Sequence, residues 1–476
     1  MKRSGLRHRQ AAPPARRTTA VKRAVSIRSI MPIAVAAMTA LGACRGRGRE
    51  APSAAPGQVV VSLVGWGAPE EREVFQEVLA DLERERPSIH VVYTQVPGVG
   101  YDYLNKLRLM IVANMAPDVF YVPDGAFPEI VRSGALLDLE PLLKESSLDL
   151  GAMWTTALDR YRWSGERLHE GHLHALPKDL GPMAMFYNAD LLRKRGVEPP
   201  SPTQPMTWDE AIAMWRKLTF DDAGIKRWGL TAFPYEAAVW SSGAEILSPD
   251  RRTWAMTSPR AMAAFQWCAD LALREGVAPN PARISEAALG SELFEAGLAA
   301  MHVDGRWMVP RYRRLAFDWD VAPIPVPVRG AASIARSGSV GLAISSRTRH
   351  PKEAFAVVEY LAGPRGQEKL TRTGFQLPNQ RTLATTNVFL QPAERPAQAQ
   401  VFVAAAEKSR PGPVTETPNG FWHDVFAAYA DEVWRGERRA ADLFPVIAPR
   451  IDQALDAAYQ EAGMANAPPE THAEAR

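Results

Sequence analysis

Five residues whose side chains suit the binding of a hydroxyl-rich molecule follow segments that are predicted to be strands. Trp66 comes after the apolar run VVVSLV, Trp240 after LTAFPYEAAV and Trp307 after AAMHVDGR. Asp124 follows DVFYVP, and Asp179 follows ALPK. A flat aromatic face covers C–H patches, and a carboxylate accepts hydrogen bonds from two hydroxyls at once. This combination of residue types favours a sugar over other solutes.

The same two carboxylates leave a catalytic alternative open. Asp124 and Asp179 would also suit the acid and the base of an exported glycoside hydrolase. The sequence has no nucleophile signature of the Gly-x-Ser-x-Gly type. This absence, together with the family resemblance given below, leads us to expect a binding protein and not an enzyme.

A histidine cluster, HEGHLH, raises the question of a metal site. The zinc-protease pattern needs two His four residues apart on one helix face, whereas His169 and His172 are three apart. His172 and His174 are instead spaced to share one face of a strand. We expect no metal and no cofactor, and no Gly-rich fingerprint of a dinucleotide site follows the first strand.

The N-terminal segment has the composition of an export signal. The first thirty residues carry nine Lys and Arg, no acidic residue precedes Glu50, and the stretch 30–43 is apolar. Fourteen apolar residues suit a signal-peptide core but are short for a transmembrane helix. Leu41-Gly42-Ala43-Cys44 resembles the lipobox of bacterial lipoproteins, which implies lipidation of Cys44; the alternative is an ordinary leader that happens to contain a cysteine. We predict a signal peptide at 1–43 and a lipidated Cys44 with a flexible tether at 44–57.

Charge and cysteine content limit the partners of the remaining chain. Without the nine basic residues of the leader, 47 Lys and Arg stand against 53 Asp and Glu, so we expect no nucleic acid as partner. Cys268 lies in an apolar helical run and is predicted to be a buried small hydrophobe. A chain of this length without disulfides can rely on its core, and it points to more than one lobe.

Strand-like and helix-like segments alternate from residue 59 onward. The pattern predicts strands at VVVSLV, IHVVY and DVFYV, with helices from Pro69 to Arg86 and from Tyr103 to Ala113 between them. Further along, it predicts strands at PMAMFYN, WGLTAFPY and AAMHVD, and a helix capped by a box of Thr207 and Glu210. Such alternation is typical of an α/β fold with parallel, doubly wound sheets, whose ligands bind at the carboxyl ends of strands.

Several blocks together resemble the family 1 extracellular solute-binding proteins of ABC importers, the group of the maltose- and glycerol-phosphate-binding proteins. The blocks that carry this resemblance are APDVFYVPDGAFPEIVRSGALLDLEPLL, LPKDLGPMAMFYNADLLRKRGVEPP with PMTWDEAIAMWRKLT, FEAGLAAMHVDGRWMV, GSVGLAISSRTRHPKEAFAVVEYLAGPRGQEKL and GFWHDVFAAYADEVWRGE. One departure is local, since Asn114 stands where the family usually has glycine before Ala-Pro-Asp.

The resemblance implies a periplasmic-binding-protein-like fold of type II, with two doubly wound α/β lobes joined by a hinge. The first lobe would contain 58–179 and about 338–380, and the second 180–337 and about 381–462, followed by a polar tail at 463–476. The ligand would be held between the lobes when they close.

The resemblance also implies roles for individual residues. It places Trp307 and Trp422 on aromatic residues of the cleft, and Tyr235 and Trp240 in the segment that lines the second lobe's side. Ser337 and Gly338 fall in a loop whose backbone N–H groups approach the ligand. Arg381 is the candidate partner of a phosphate or carboxylate on the ligand, and Trp208, Trp215 and Trp267 are predicted to be core residues at helical spacing.

The expected partners follow from the family. They are a sugar or sugar derivative, the transmembrane subunits of an ABC permease, and a bacterial membrane that holds the monomeric protein through its lipid. A non-sugar solute, such as a polyamine, a glycerol phosphodiester or a peptide, is the alternative ligand.

Overall fold

The computed structural model describes residues 55–67, 69–97, 101–280 and 287–464. The predicted signal peptide, Cys44, the tether up to residue 54 and the tail from residue 465 lie outside the described residues. No helix in these described ranges is long and apolar enough to cross a membrane.

The strands of the described chain, in sequence order, are β1 (Val59–Gly67), β2 (Ile89–Pro97), β3 (Val119–Pro123), β4 (Arg162–Trp163), β5 (His172–Leu173), β6 (Ala175–Pro177), β7 (Asp179–Asn188), β8 (Phe220–Asp222), β9 (Ile225–Leu230), β10 (Ala299–Gly305), β11 (Trp319–Ala322), β12 (Arg336–Gly338), β13 (Val340–Ile344), β14 (Leu377–Pro378) and β15 (Arg410–Pro411).

The α-helices are α1 (Pro69–Glu85), α2 (Tyr101–Val112), α3 (Phe127–Arg132), α4 (Glu140–Leu143), α5 (Thr155–Leu158), α6 (Ala189–Lys194), α7 (Trp208–Leu218), α8 (Tyr235–Ser241), α9 (Pro259–Leu273), α10 (Ala287–Glu295), α11 (Val309–Tyr312), α12 (Pro351–Ala362), α13 (Pro364–Arg372), α14 (Arg381–Ala384), α15 (Asn387–Leu390), α16 (Gln400–Ala406), α17 (Phe421–Trp434) and α18 (Ala440–Glu461).

The first sheet has the strand order β2–β1–β3–β13–β6. β1 pairs in parallel with β2 and β3, as the alternation predicts. The prediction of an all-parallel sheet is wrong at its other side, because β13 runs antiparallel to both β3 and β6. The physical reason is that β13 enters this sheet directly from the second sheet, without the helical crossover that a parallel neighbour needs.

The second sheet has the order β15–β12–β7–β10–β9–β8, and β11 and β14 also pair with β7. The long strand β7 is antiparallel to β10, β11, β12 and β14, so this sheet is mixed as well. β9 and β10 are parallel neighbours. The α/β class predicted from the sequence is therefore confirmed, whereas the strand directions are more varied than alternation alone implies.

Each sheet has its own buried core. The first is built on Val61, Leu63, Phe120 and Val122 of β1 and β3. The second surrounds α7, α9, α17 and α18 and contains Trp215, fully buried as predicted. Tyr459 and Met464, near the end of the chain, pack in the first core, although the predicted lobe limits place them with the second lobe and the tail.

Local signals account for several helix limits. Thr207 Oγ1 accepts from the Glu210 backbone N–H, and the Glu210 carboxylate accepts from the Thr207 N–H, so the predicted capping box is confirmed at the start of α7. α1 ends at Glu85, two residues before Pro87, which cannot continue a helix. The predicted strand WGLTAFPY is too long, because β9 ends at Leu230 and α8 begins directly after Pro234.

The chain passes between the two sheets where β6 meets β7 and where β12 meets β13. A single residue, Lys178, separates β6 from β7, and a single residue, Ser339, separates β12 from β13. These two residues lie close together, because Ser339 Oγ donates to the carbonyl oxygen of Asp179 over 2.7 Å. We call this pair of connections the sheet crossing.

Candidate functional site

A buried guanidinium forms hydrogen bonds to residues on both sheets at the sheet crossing. Arg160, in the turn after α5, donates from Nη1 to Oδ2 of Asp124 over 2.6 Å and to the carbonyl oxygen of Ser337 over 2.9 Å. Its Nη2 donates to Oγ of Ser337 over 2.6 Å. The Arg160 side chain is almost fully buried, so the carboxylate of Asp124 balances a charge that water does not reach.

Both predicted carboxylates accept hydrogen bonds from the backbone of the crossing. Asp124 Oδ2 also accepts from the Ser339 N–H over 3.0 Å, and Asp124 Oδ1 accepts from the Gly125 N–H. Asp179 Oδ1 accepts from the Val340 N–H over 3.0 Å. The two side chains therefore bind adjacent N–H groups of the β12–β13 connection, Asp124 from the turn after β3 and Asp179 from the start of β7.

A buried lysine ties the crossing to the first helix. Lys178 Nζ lies 3.2 Å from each of three oxygens, which belong to Glu71, Asp179 and Gln376. Burial alone would lower the pKa of Lys178, but the negative charges of Glu71 and Asp179 outweigh it and raise the pKa. The ammonium group is thus charged, and it links α1 to the start of β7.

Trp307 is an exposed aromatic residue beside the crossing. It lies in the turn after β10, and 41% of its surface is exposed. Its indole lies against two glycines: a Cβ built on Gly181 would come within 2.9 Å of Cζ3, and one built on Gly305 would overlap the same ring. Gly338, which pairs with Gly181 across β12 and β7, has open space where a Cβ would point. An aromatic face thus lies next to unfilled space.

Trp66 lies on the first-sheet side of the same region. It is the second-last residue of strand β1 rather than a residue beyond the strand, and it is half-buried. Its ring packs 4.8 Å from that of Tyr103 and 5.3 Å from that of Tyr121. Lys178 Nζ lies 5.6 Å from the Tyr121 ring centre, so Trp66 reaches the crossing through Tyr121.

Trp240 lines a cavity of about 340 Å³ on the second-sheet side. It lies in helix α8, which starts after Pro234, and not in a loop after a strand. The Arg410 guanidinium carbon is 5.7 Å from its ring centre and the guanidinium pairs with Glu245. The Arg410 carbonyl oxygen accepts from Ser337 Oγ, which joins this cavity to the crossing.

A second charged pair, Arg251 and Glu416, also lines this cavity. Arg251 Nε donates to Oε2 of Glu416 over 2.6 Å, and His169 Nε2 lies 4.0 Å from Oε1. Burial alone would raise the pKa of Glu416, but the nearby charges of His169 and Arg251 outweigh it and lower the pKa. Glu416 belongs to the turn Pro413–Glu416. This turn also contacts the turn after β3, because Thr415 Cγ2 lies 4.0 Å from the point where a Cβ built on Gly125 would be.

Tyr235 and Trp422 pack against and inside the second core. The Tyr235 hydroxyl is 3.2 Å from Nε2 of His423, and its ring packs on Phe265. Trp422 has no exposed surface, and its Nε1 donates to Thr417 Oγ1 over 3.0 Å. Trp422 is part of the second core, and Tyr235 is partly buried against it.

Arg381 stands apart from the other predicted residues. It begins α14, its Nη2 donates to both carboxylate oxygens of Glu407 at 3.0 and 3.2 Å, and its guanidinium carbon lies 5.3 Å from the ring centre of Trp154. The side chain is half-exposed, so the pair with Glu407 is a surface ion pair.

The structure thus brings together Asp124, Asp179, Ser337, Gly338 and Trp307, with Trp66 and Trp240 on either side. Ser337 and Gly338 belong to strand β12 and not to a loop. Sequence reasoning missed the charged residues Arg160, Lys178, Arg410 and Glu416, whose partners are remote in the chain. The position of Lys178, directly beside Asp179, was the one available signal.

The histidines do not converge on a common point. His172 Nδ1 lies 2.7 Å from Asp138 Oδ2, whereas His169 Nδ1 lies 3.2 Å from the carbonyl oxygen of Asp159. The described ranges contain no group of three or more His, Cys, Asp or Glu residues placed to hold a metal ion. As the sequence predicts, Cys268 is buried, and burial raises the pKa of its thiol.

Two α/β units joined by paired strand crossings, with an exposed aromatic residue beside the crossings, define a two-lobed binding protein. The chain belongs to the family of bacterial extracellular solute-binding proteins, whose family model matches residues 68–368. The resemblance drawn from the sequence blocks is therefore confirmed.

Two relatives show how far the sequence similarity extends. The chain is 24% identical over 260 residues to a maltotriose-binding protein of Pyrococcus abyssi, a match that covers 54% of this chain and about half, 51%, of that protein. It is 25% identical over 412 residues to an uncharacterized lipoprotein of Streptomyces antibioticus, which covers 83% of this chain and 86% of that protein.

A solved structure matches almost the whole fold. An ABC substrate-binding protein from Listeria monocytogenes, determined in complex with cycloalternan, superposes with a TM-score of 0.72 at 21% identity and covers 85% of this chain and 99% of that one. The predicted fold class, two α/β lobes of the type II periplasmic-binding-protein kind, is confirmed.

Proposed function

We propose that this protein is the extracytoplasmic substrate-binding component of an ABC importer and that it holds a sugar between its two lobes. The observation that carries the proposal is the position of Trp307, whose partly exposed indole lies on Gly181 and Gly305 beside the open space at Gly338. A flat apolar face at the point where two lobes meet suits the C–H face of a sugar ring.

The similar proteins support a sugar as the ligand. The Pyrococcus relative is a maltotriose-binding protein, and the Listeria structure holds cycloalternan. A polyamine site would need several unpaired acidic groups, whereas Asp124, Asp179 and Glu416 each have a cationic partner in the structure. We therefore favour a sugar over a non-sugar solute.

Binding would act by shifting the population of open and closed lobes. Trp66 and Asp124 belong to the first sheet's side of the crossing, and Trp240 and Trp307 belong to the second sheet's side. A ligand that contacts both sides gains its full contacts only when the lobes are closed, so it stabilises the closed form. The closed form would be the one presented to the permease.

The proposed function does not include catalysis. Asp124 and Asp179 both accept hydrogen bonds from neighbouring backbone N–H groups and cations, and these bonds hold them in the sheet crossing. An acid–base pair of a glycoside hydrolase must instead face the scissile bond. Product formation from an oligosaccharide mixture, lost on Asp124→Asn or Asp179→Asn, would contradict this view.

Titration with maltotriose and other linear and cyclic glucosides, followed by tryptophan fluorescence and thermal unfolding, tests the ligand class. We expect a saturable fluorescence change and a rise in the unfolding midpoint with at least one of these sugars. Flat responses to this panel and to a wider set of mono- and oligosaccharides would contradict a sugar ligand. Mass spectrometry of the solute that co-purifies with native protein would name it.

The proposal includes export and anchoring. The basic and apolar N-terminal segment supports a signal peptide, and Leu41-Gly42-Ala43-Cys44 supports lipidation at Cys44. The similarity to a Streptomyces lipoprotein agrees with an anchor. We propose a monomer held on the outer side of a bacterial membrane, where the anchor keeps it at high effective concentration near its permease.

A further inference from the structure

We propose that the end of the first sheet where β1 begins rests on the membrane surface, through an apolar stripe at the end of α2 and two arginines before α12. The occupant of this face is the anionic lipid headgroup layer. The inference rests on the proposed anchoring at Cys44. We call this face the tether end.

The apolar stripe is unusually exposed. Leu109, Val112 and Met115 have 71%, 81% and 72% of their surface exposed. Leu109 and Val112 are one turn apart on α2 and share a side, and Met115 follows the left-handed residue Asn114 just after the helix ends. Three exposed large apolar side chains within one short stretch of chain mark an interaction site more often than single exposed residues do.

Two arginines lie close to this stripe. Asp118, three residues after Met115, accepts from Thr348 Oγ1 over 2.6 Å, and its carbonyl oxygen accepts from the Ser345 N–H over 2.9 Å. Arg347 and Arg349 are exposed on either side of Thr348. Neither arginine forms an ion pair with another residue in the described part of the chain, so both charges are available to phosphate groups.

The tether enters the fold at the same end. Asp118 Oδ2 also accepts from the backbone N–H and Oγ of Ser62, three residues into β1. Ten residues separate Cys44 from Ala55. Even fully extended, this length limits the distance between the lipidated residue and Ala55 to about 40 Å.

The direction of the strands sets which end of the lobe faces the bilayer. β1 has nine residues and rises by about 30 Å from its start to the crossing. The stripe and the arginines are therefore at the end of the sheet where the described chain begins, and the sheet crossing is at the other end. An apolar stripe flanked by arginines is suited to the interface, because the arginines bind phosphates while the stripe enters the headgroup boundary.

The test places a fluorescent label at the stripe. A lipidated full chain carrying Val112→Cys is labelled with an environment-sensitive dye and reconstituted into vesicles of phosphatidylglycerol and phosphatidylethanolamine. The matched control is Val446→Cys, since Val446 is 63% exposed and belongs to α18, which packs mainly on the second core. Cys268 is buried and does not compete for the label.

We expect the label at residue 112 to shift to shorter wavelength and to be quenched by nitroxide lipids, while the label at residue 446 remains aqueous. Arg347→Gln with Arg349→Gln should reduce the ratio of membrane-bound to aqueous label about fivefold per arginine at low salt. Vesicles of phosphatidylcholine alone should give a similar reduction.

Each other outcome overturns the inference. If the protein sediments with vesicles but the label at residue 112 stays aqueous, or if both labels are quenched equally, the membrane-facing surface is wrong and the anchor stands. If the protein does not sediment with vesicles, the anchor and the surface both fail, whereas sugar binding is unaffected. Shielding of residue 112 in the unlipidated Cys44→Ala chain, in buffer without vesicles or detergent, would assign the face to a second copy of the chain. Unchanged thermal unfolding of the labelled variants shows that their fold is intact.

Discussion

Arg160 and Asp124 form a buried ion pair, with 2.6 Å between Nη1 and Oδ2, at the point where the chain passes between its two sheets. Asp124 belongs to the turn after β3, and Arg160 also binds Ser337 of β12. One guanidinium therefore joins an element of the first sheet to an element of the second. We expect a lobe closure that turns around this point to keep the pair intact.

Removing one member of this pair should destabilise the whole protein. Asp124→Asn leaves the buried Arg160 charge without its carboxylate, so we expect a loss of about 3–5 kcal/mol in the free energy of unfolding. Urea denaturation measures it. The control is Glu129→Gln, which removes the partner of Arg108 in an exposed pair and should cost less than about 1 kcal/mol. Equal costs for the two variants would mean that Arg160 is solvated in solution.

The two cleft tryptophans of the family pattern should behave in opposite ways. Trp307→Ala removes a partly exposed ring that rests on glycines, so we expect sugar affinity to fall by about 1–2 kcal/mol while stability barely changes. Trp422→Ala opens a hole in the second core and should cost about 3–5 kcal/mol of stability. Calorimetric titration with the best sugar of the panel and urea denaturation separate the two effects. If Trp307→Ala binds as well as the parent, Trp307 is not a ligand contact.

The difference between these tryptophans shows what could be predicted from the sequence. Trp307 follows an easily recognised strand, so its place at a strand end was predictable. Trp422 lies on α17 in a stripe with Phe426, Ala430 and Val433, all of them buried. That spacing is a helical core pattern, and weighing it against the family resemblance would have placed Trp422 inside.

Other features could not be predicted, because they depend on contacts between remote residues. The capping box of Thr207 and Glu210 is local and was predicted. Arg160 is 36 residues from Asp124 and 177 from Ser337, and no periodicity links them. The start of α8 was missed because the apolar run into Pro234 reads as a continuing strand, whereas Pro234 with Glu236 two residues later is a helix-start signal.

Two paired glycines near Trp307, Gly181 and Gly338, allow a matched pair of substitutions. Gly181→Ala places a methyl group 2.9 Å from the indole and should displace the ring, lowering sugar affinity by about tenfold. Gly338→Ala, on the residue paired with Gly181, meets open space and should leave the indole in place. Tryptophan fluorescence of the unliganded variants reports the displacement. A larger spectral change in Gly338→Ala than in Gly181→Ala would contradict the position of the ring.

Low pH should decrease the free energy of unfolding, because it protonates Glu416. Its folded-state pKa lies below the usual 4.5, so its charged form stabilises the protein above pH 4.5, and this contribution is lost as the pH falls from 4.5 through the lower folded-state pKa. Glu416→Gln should cost about 1–3 kcal/mol at neutral pH, because Arg251 loses a charged acceptor. The difference from the parent should shrink below pH 4.5.

Thermal unfolding from about pH 3 to about pH 7 measures this effect. The control is Glu407→Gln, which removes the partner of Arg381 in a half-exposed pair and should cost less than about 1 kcal/mol. A Glu416→Gln variant whose stability runs parallel to that of the parent at every pH would show that Glu416 does not cause the acid sensitivity.

The two cysteines of the chain separate anchoring from binding. Cys44→Ala should release the protein from membranes while sugar affinity stays the same, because the binding residues begin only at Trp66. Cys268→Ala is the matched control: it removes a buried thiol inside the second core, so we expect a modest loss of stability and full retention on membranes. Membrane fractionation of cells and sugar titration of the purified proteins measure both properties. Retention of Cys44→Ala on membranes would mean that another segment, such as the uncleaved leader, holds the protein there. In that case the lipobox interpretation fails and the sugar-binding proposal remains, since the two depend on different residues.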